Sequence, residues 1–177
     1  MDTLVQNKLC DLIERNSLSM DFFLDETYNC MLISIFEVLT LEMNDIEFKH
    51  HVKERFIKSQ NKILTTKNLV YEITNCLLTE EESEQIYNYL YAYFTKKNKR
   101  VIYSENEKKL KLYDQECKCN VCKKHISIEE SELDHIIPWA LVGDELGTTN
   151  LQVLCQKCNR RKSKNSAYNL KMFLINH

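Results

Sequence analysis

Residues 132–163 bring together side-chain types that a stable core does not require. Asp134 stands beside His135, an isolated Asn150 follows, and a cysteine pair then runs directly into Asn159 and a group of basic residues. Carboxylate and amide oxygens are hard ligands for Mg²⁺, and a histidine titrates near neutrality and can act as a general base. Hydrolysis of a phosphodiester needs such a base, a cation that neutralises charge on the phosphate, and basic groups that hold the strand. The basic residues available for phosphate contacts are Arg160, Arg161, Lys162 and Lys164.

Two cysteine pairs frame this stretch. Cys119 and Cys122 are two residues apart, as are Cys155 and Cys158, and 32 residues lie between the pairs. Each short gap lets both thiolates face one ion, and two such pairs complete the tetrahedral sulfur coordination typical of structural Zn²⁺. This closed site would pin together the ends of a segment too short to build its own core. Two further residues are alternative ligands, Cys117 and His125.

A hairpin followed by a helix is predicted to position these groups. The runs SELDHII and LQVLC are typical of strands, and the loop between them contains Pro138 and both glycines. From Cys158 the chain is predicted to be helical. The apolar stripe of that helix includes Leu170, Phe173 and Leu174. Because adjacent strand residues point to opposite faces, Asp134 and His135 can share a site only where the strand ends or twists.

In these motifs the sequence closely resembles the HNH endonucleases, in their zinc-clamped ββα-metal form. The resemblance covers about residues 112–165, with CNVC followed by LDHIIPWALVGDELGTTNLQVLCQKCNRRKS. It implies metal-dependent hydrolysis of phosphodiester bonds in DNA, with RNA not excluded, and products that end in 5′-phosphate and 3′-hydroxyl groups. Small isolated nucleases of this type often serve phage or anti-phage systems, which is an analogy of context alone.

The resemblance also implies a role for each matched residue. His135 is the general base, and Asn150 holds the loop that orients it. Asp134 and Asn159 bind the catalytic metal, while the four paired cysteines hold structural Zn²⁺. The family often has histidine at the last metal position, where this chain has Asn159. A harder oxygen ligand there favours Mg²⁺ or Mn²⁺ over a softer metal.

The rest of the chain is predicted to be mainly helical. Only 2 Gly and 1 Pro occur in 177 residues, so few elements are interrupted. Residues 1–90 hold 8 Lys and Arg against 16 Asp and Glu, whereas residues 91–177 hold 16 against 10. We expect an α-helical domain over residues 1–100 and a ββα-metal domain over residues 101–177. The basic half suits a polyanion, and the acidic half is a candidate surface for a protein partner.

Several helix starts are visible as capping signals. Thr79 with Glu82, and Ser104 with Glu107, have the spacing of capping boxes. Two further caps are predicted, at Asn44 and Thr66. A short β-like run, HISIEE, follows the first cysteine pair.

The first residues lack the apolar region of a secretory signal, and the longest apolar run is broken by Glu37 and too short to cross a bilayer. We therefore expect a cytoplasmic protein with no membrane contact, in which paired cysteines are more often metal ligands than disulfides. One alternative is a zinc module that binds nucleic acid or a partner protein without cutting. Another assigns the function to the acidic half, as a docking or inhibitory module.

Overall fold

The computed structural model describes residues 10–14 and 20–165, together with Asn7 and Tyr168. Within them the chain is mostly helical with one small sheet, as predicted. The predicted stripe at Leu170, Phe173 and Leu174 lies outside the described residues.

Four helices make up the first half of the chain. They are α1 (Met20–Glu42), α2 (Ile46–Lys58), α3 (Lys62–Thr74) and α4 (Glu80–Thr95). A fifth helix, α5 (Glu105–Asp114), follows a connecting segment. Both predicted capping boxes are present, one at the start of α4 and the other at the start of α5. Each satisfies backbone N–H groups that a helix start otherwise leaves without partners.

Two predicted caps are wrong by a few residues. The cap of α2 is Asp45, whose carboxylate accepts from the N–H of Phe48, because Asn44 still belongs to the turn that ends α1. Thr66 lies inside α3, which begins earlier because Asn61 caps it. The Thr66 hydroxyl instead donates to the Lys62 carbonyl within the helix.

The main core lies between α1 and α4. Leu32, Phe36 and Leu39 of α1 are fully buried, and Ile86 and Leu90 of α4 are at most 1% exposed. Burying each such side chain stabilises the fold by about 1.5–3 kcal/mol. The same core cluster takes in two residues from the back half, Ile137 and Val142. The helical half therefore packs directly against the loop that follows His135.

The back half contains the predicted hairpin and helix. Strand β1 (Ser131–His135) pairs antiparallel with β2 (Leu151–Cys155). Between them lie the one-turn helix α6 (Trp139–Val142) and a 3-10 turn (Gly147–Asn150), and helix α7 (Gln156–Lys162) follows β2 directly. The run HISIEE forms only an isolated bridge, between His125 and Lys118. None of the helices in the described part of the chain is both long enough and apolar enough to cross a membrane.

Candidate functional site

The two cysteine pairs meet in a second, smaller core. The sulfur atoms of Cys119, Cys122, Cys155 and Cys158 all lie within 4.8 Å of one another. Four thiolates around one Zn²⁺, each with a bond of about 2.3 Å, would sit about 3.8 Å apart. A small contraction of this cluster would therefore hold a zinc ion. Neither alternative ligand, Cys117 or His125, belongs to it.

Local backbone structure turns the first pair toward one point. The N–H of Cys119 donates to the carbonyl of Lys124, and the N–H of Lys123 donates back to the carbonyl of Cys119, both at 2.9 Å. Lys123 adopts a left-handed conformation, with φ of 56°, to close this tight turn. At the second pair, the N–H of Cys158 donates to the sulfur of Cys155 at 3.5 Å.

The ionisation of these thiols favours a bound cation. Burial raises the pKa of Cys158 strongly, and the neighbouring charge of Cys119 raises it further. Burial also raises the pKa of Cys122. At Cys119 burial acts in the same direction, but N–H groups of the two loops outweigh it, so the pKa is lowered. The charge of Cys119 contributes to the raised pKa values of Cys122 and Cys158, and a dication would offset that repulsion.

The cysteine-bearing loop connects to the hairpin through buried amides. The side-chain nitrogen of Asn120 donates to the side-chain oxygen of Gln152 at 3.0 Å. The side-chain nitrogen of Gln152 in turn donates to the Asp134 carboxylate at 2.9 Å. Gln152 is 1% exposed and lies opposite Asp134 in the strand register. The cluster that can hold zinc is thereby linked through two side chains to the predicted metal ligand Asp134.

Helix α7 contacts one face of β1 at two points. The Asn159 amide donates to the Glu132 carboxylate at 2.7 Å, and the Lys162 ammonium lies 3.0 Å from the Asp134 carboxylate. Glu132 and Asp134 are two residues apart in a strand and so share a face, while Asn159 and Lys162 are three apart in a helix and do likewise. Glu132 accepts from the amide nitrogen of Asn159, so this bond does not use the amide oxygen of Asn159. Asp134 and Asn159 thus lie on the same side of the hairpin.

Lys162 differs from the other basic residues of this region. It is 1% exposed, and its ammonium is held by Asp134 and by the carbonyl of His135 at 2.8 Å. In this position it does not present charge to a phosphate on the surface, contrary to the expectation from the basic run. Arg160, Arg161 and Lys164 are exposed. A buried ammonium requires a partner of opposite charge, and Asp134 supplies it.

The imidazole of His135 lies against Asp144, a residue that the sequence analysis did not single out. The His135 Nε2 is 3.0 Å from the Asp144 Oδ1, and the two side chains are 20% and 6% exposed. His135 is the last residue of β1, so its side chain points away from the face of Asp134 and toward the loop after the strand. The Tyr103 ring approaches the imidazole edge-on, with ring centroids 6.5 Å apart.

Asp144 accepts hydrogen bonds from four groups. They are the N–H of Val101 at 2.9 Å, the hydroxyl of Tyr103 at 3.0 Å, the indole N–H of Trp139 at 2.8 Å, and His135. Burial by itself would raise the pKa of Asp144, but these donors, the Val101 N–H first among them, lower it from 3.8 to about 2. Asp144 is therefore ionised at any pH at which the protein would work.

An ionised carboxylate can only accept hydrogen bonds, which fixes the tautomer of His135. In the neutral ring, Nε2 must carry the proton that it donates to Asp144. The lone pair then resides on Nδ1. His135 is thus oriented and supplied with one basic nitrogen, an arrangement suited to taking a proton from water.

Asn150 holds the chain that follows His135. It is 5% exposed; its side-chain oxygen accepts from the N–H of Ile137 at 2.8 Å, and its side-chain nitrogen donates to the Ile137 carbonyl at 3.0 Å. Its own carbonyl accepts from the N–H of Ile136 at 2.8 Å. These three bonds fix the backbone at the point where His135 leaves the sheet.

Three polar residues of this region were missed from the sequence: Asp144, Glu132 and Gln152. A signal existed for Glu132, because it precedes Asp134 by two residues in a predicted strand. Gln152 would have needed the strand register, and Asp144 the path of the loop.

Comparison with known proteins identifies the family of this region. A family model described as HNH endonuclease matches residues 119–165, so this part of the chain carries an HNH endonuclease domain. The chain is also similar to the CRISPR-associated endonuclease Cas9 of Corynebacterium diphtheriae, with 40% identity over 48 residues. Those residues cover 27% of this chain and 4% of that much longer protein. No solved structure matches the chain.

Proposed function

We propose that this protein is a metal-dependent endonuclease that hydrolyses phosphodiester bonds in DNA. The observation that carries the proposal is the 3.0 Å contact between His135 and Asp144, at the end of a strand whose preceding residue is Asp134. It supplies an oriented base directly after a hard oxygen ligand in the chain, with the two side chains on opposite faces of the strand end, inside a region that matches a nuclease family. Three exposed basic residues offer positive charge to the DNA backbone: Arg160, Arg161 and Lys164.

In the proposed reaction, Nδ1 of His135 takes a proton from the attacking water. Asp144 stabilises the imidazolium that forms, because its charge lies against Nε2. Asp134 and the amide oxygen of Asn159 would hold Mg²⁺ or Mn²⁺. Such a cation supplies neutralising charge for the phosphate and the departing 3′ oxygen. Asn150 keeps the loop in place, and the four paired cysteines would hold structural Zn²⁺.

The two halves of the chain are proposed to act together. The ββα unit of residues 101–177 carries the chemistry, and the helical unit of residues 1–100 supplies part of the core under its loop, through contacts with Ile137 and Val142. Cutting the chain after residue 100 would expose both side chains, so the isolated back half should be less stable and less active than the whole. Equal plasmid nicking by the whole protein and by residues 101–177 would instead show that cleavage does not need the helical half. The acidic half would then be the candidate surface for a partner protein.

The test compares the whole protein with His135→Ala on supercoiled plasmid, with Mg²⁺, with Mn²⁺, and with chelator. The wild type should nick the plasmid with a divalent metal, and the variant should not, while its zinc content and its circular dichroism stay unchanged. Nicking by the variant at the wild-type rate would remove His135 from the mechanism. DNA binding without cleavage by the wild type, with every metal, would favour a non-catalytic zinc module.

A further inference from the structure

The segment that joins α4 to α5, residues 96–103, is packed onto the catalytic loop. The N–H of Val101 and the hydroxyl of Tyr103 both donate to Asp144, and the N–H of Lys97 donates to the carboxylate of Glu145 at 3.3 Å. The Lys96 ammonium donates to the carbonyl of Ala140, in α6. This segment, called the 96–103 linker below, is therefore held in place beside His135.

Gly143 makes this close approach possible. A methyl group added at Gly143 would come within 3.1 Å of the Lys96 side chain and 3.6 Å of the Lys97 carbonyl. Its backbone also has φ of 62° and ψ of −141°, which a residue with a side chain rarely adopts. The absence of a side chain at Gly143 thus lets the loop and the linker approach closely, and side chains of Lys96, Asp144 and Glu145 then hold them together.

The linker presents positive charge at the surface. Residues 96–100 read KKNKR, and all five are exposed. The guanidinium of Arg100 lies 4.8 Å from the centre of the Trp139 ring, so its charge is kept beside the loop. Lys97, whose N–H is bound to Glu145, and Lys99 are exposed, and nothing in the proposed reaction uses them.

We propose that the 96–103 linker binds the sugar-phosphate backbone of DNA beside the cleaved bond. This inference rests on the proposed function and adds to it a second phosphate-binding surface, separate from the basic residues of α7. The ring of Tyr103 is 6.5 Å from that of His135, and Lys99 is four residues from Tyr103. The Cα of Lys99 is therefore at most about 14 Å from that of Tyr103. About four base pairs of duplex cover that distance, so Lys99 is within reach of the phosphates of a strand bound at His135.

The experiment measures DNA affinity without cleavage. A labelled duplex is titrated by fluorescence anisotropy with full-length His135→Ala protein at several salt concentrations. The same background then carries Lys97→Gln with Lys99→Gln, leaving Arg100 in place on Trp139. The matched control removes two exposed charges from α2, with Lys53→Gln and Lys58→Gln. Thermal unfolding of all three proteins checks that each is folded.

Each lost phosphate contact should lower the slope of log affinity against log salt by about 0.9. The slope of the linker variant should therefore be smaller in magnitude by about 1.8. Between 50 and 200 mM salt, the factor by which its affinity falls should be about tenfold smaller than the factor for the parent protein. The α2 control should keep the slope of the parent protein. The same titration with one strand of the duplex tells which form of DNA the linker holds.

Equal slopes for the linker variant, the control and the parent would overturn the proposal. That outcome is distinguishable from failure of the proposed function, which is read from plasmid nicking by the wild type. A protein that nicks plasmid but shows no slope change keeps its nuclease function and loses the linker site. A slope change in a protein that never nicks keeps the linker site and loses the nuclease function.

Discussion

Replacing Asp144 with asparagine separates the positioning of His135 from its presence. The substitution keeps the shape of the side chain and removes its charge. An asparagine has one acceptor oxygen and one donor nitrogen, and it must face four groups that now all donate to the carboxylate. The N–H groups of Val101 and Trp139 share one carboxylate oxygen and can only donate, so the amide oxygen must turn to them. The amide nitrogen then faces Tyr103 and His135.

This orientation reverses the tautomer of His135. The amide nitrogen donates to Nε2, so the ring proton moves to Nδ1, and the nitrogen assigned as the base loses its lone pair. General-base catalysis contributes on the order of 10²–10⁴-fold to a rate, and nicking should fall by that factor. The Asp144→Asn protein should still bind zinc. Nitrogen-15 spectra of the imidazole should report the change from Nε2–H to Nδ1–H.

The cost in stability follows from the same hydrogen bonds. The pKa of Asp144 falls from 3.8 to about 2 on folding. At about 1.4 kcal/mol per pKa unit, the ionised form adds about 2 kcal/mol to the free energy of unfolding. This contribution is present above pH 3.8 and is lost as the pH falls through about 2. Because asparagine resembles the protonated acid, the free energy of unfolding of the wild type should exceed that of the variant by about 2 kcal/mol at pH 7, and the difference should shrink below pH 4.

The assays are single-turnover nicking of supercoiled plasmid and urea unfolding at pH 7 and pH 3. Asp114→Asn, at an exposed position, is the matched control and should change neither measurement. A variant that loses stability but nicks within about threefold of wild type would refute the positioning role of Asp144. An unchanged stability would refute the assignment of the four hydrogen bonds.

Three further outcomes are expected. Cys158→Ser should lower the zinc content measured by elemental analysis and lower the melting temperature, because one of four ligands is lost. Gly143→Ala should lower the free energy of urea unfolding by about 1–3 kcal/mol, since it adds both backbone strain and a clash with the 96–103 linker. Gly147→Ala meets no atom within 4 Å and should lower it less. Equal losses would contradict the close packing of the linker. Lys162→Met should lower the free energy of unfolding, measured in the presence of chelator, by about 3 kcal/mol, because it leaves the Asp134 carboxylate without its buried partner. Added Mg²⁺ should recover part of this loss. Exposed Lys164→Met should have no such effect, and a loss as large as that of Lys162→Met would contradict the buried pair.

The features that could be predicted from sequence are those that depend on local spacing. The capping boxes at Thr79 and Ser104 need only residues three positions apart, and both form. The cysteine pairs set their own turns, so their meeting required only that the hairpin between them close. The cap predicted at Thr66 is wrong because two residues compete to start the same helix. Asn61 comes first in the chain and caps the helix at Lys62, which leaves Thr66 inside it.

The features that could not be predicted depend on residues far apart in the chain. Lys162 is one of a run of basic residues, yet packing of α7 on β1 buries it against Asp134. Glu132 and Gln152 become relevant only through the contact of α7 and the strand register. No local pattern distinguishes Lys162 or Gln152 from ordinary surface polar groups, and the spacing of Glu132 from Asp134 marks only a shared strand face.

The sequence by itself determined the kinds of groups present and the framework that carries them: a histidine at the end of a strand, an aspartate before it, an asparagine in the helix after the hairpin, and four thiols at the spacing of a zinc site. Tertiary structure alone decided which nitrogen of His135 is basic, because His135, the 96–103 linker and Trp139 converge on the Asp144 carboxylate only when the helical half packs beneath the loop. The physical reason is the distance along the chain over which each feature is determined. Turns and caps are set by neighbouring residues, whereas the charge state of a buried group is set by the groups that folding brings into contact with it.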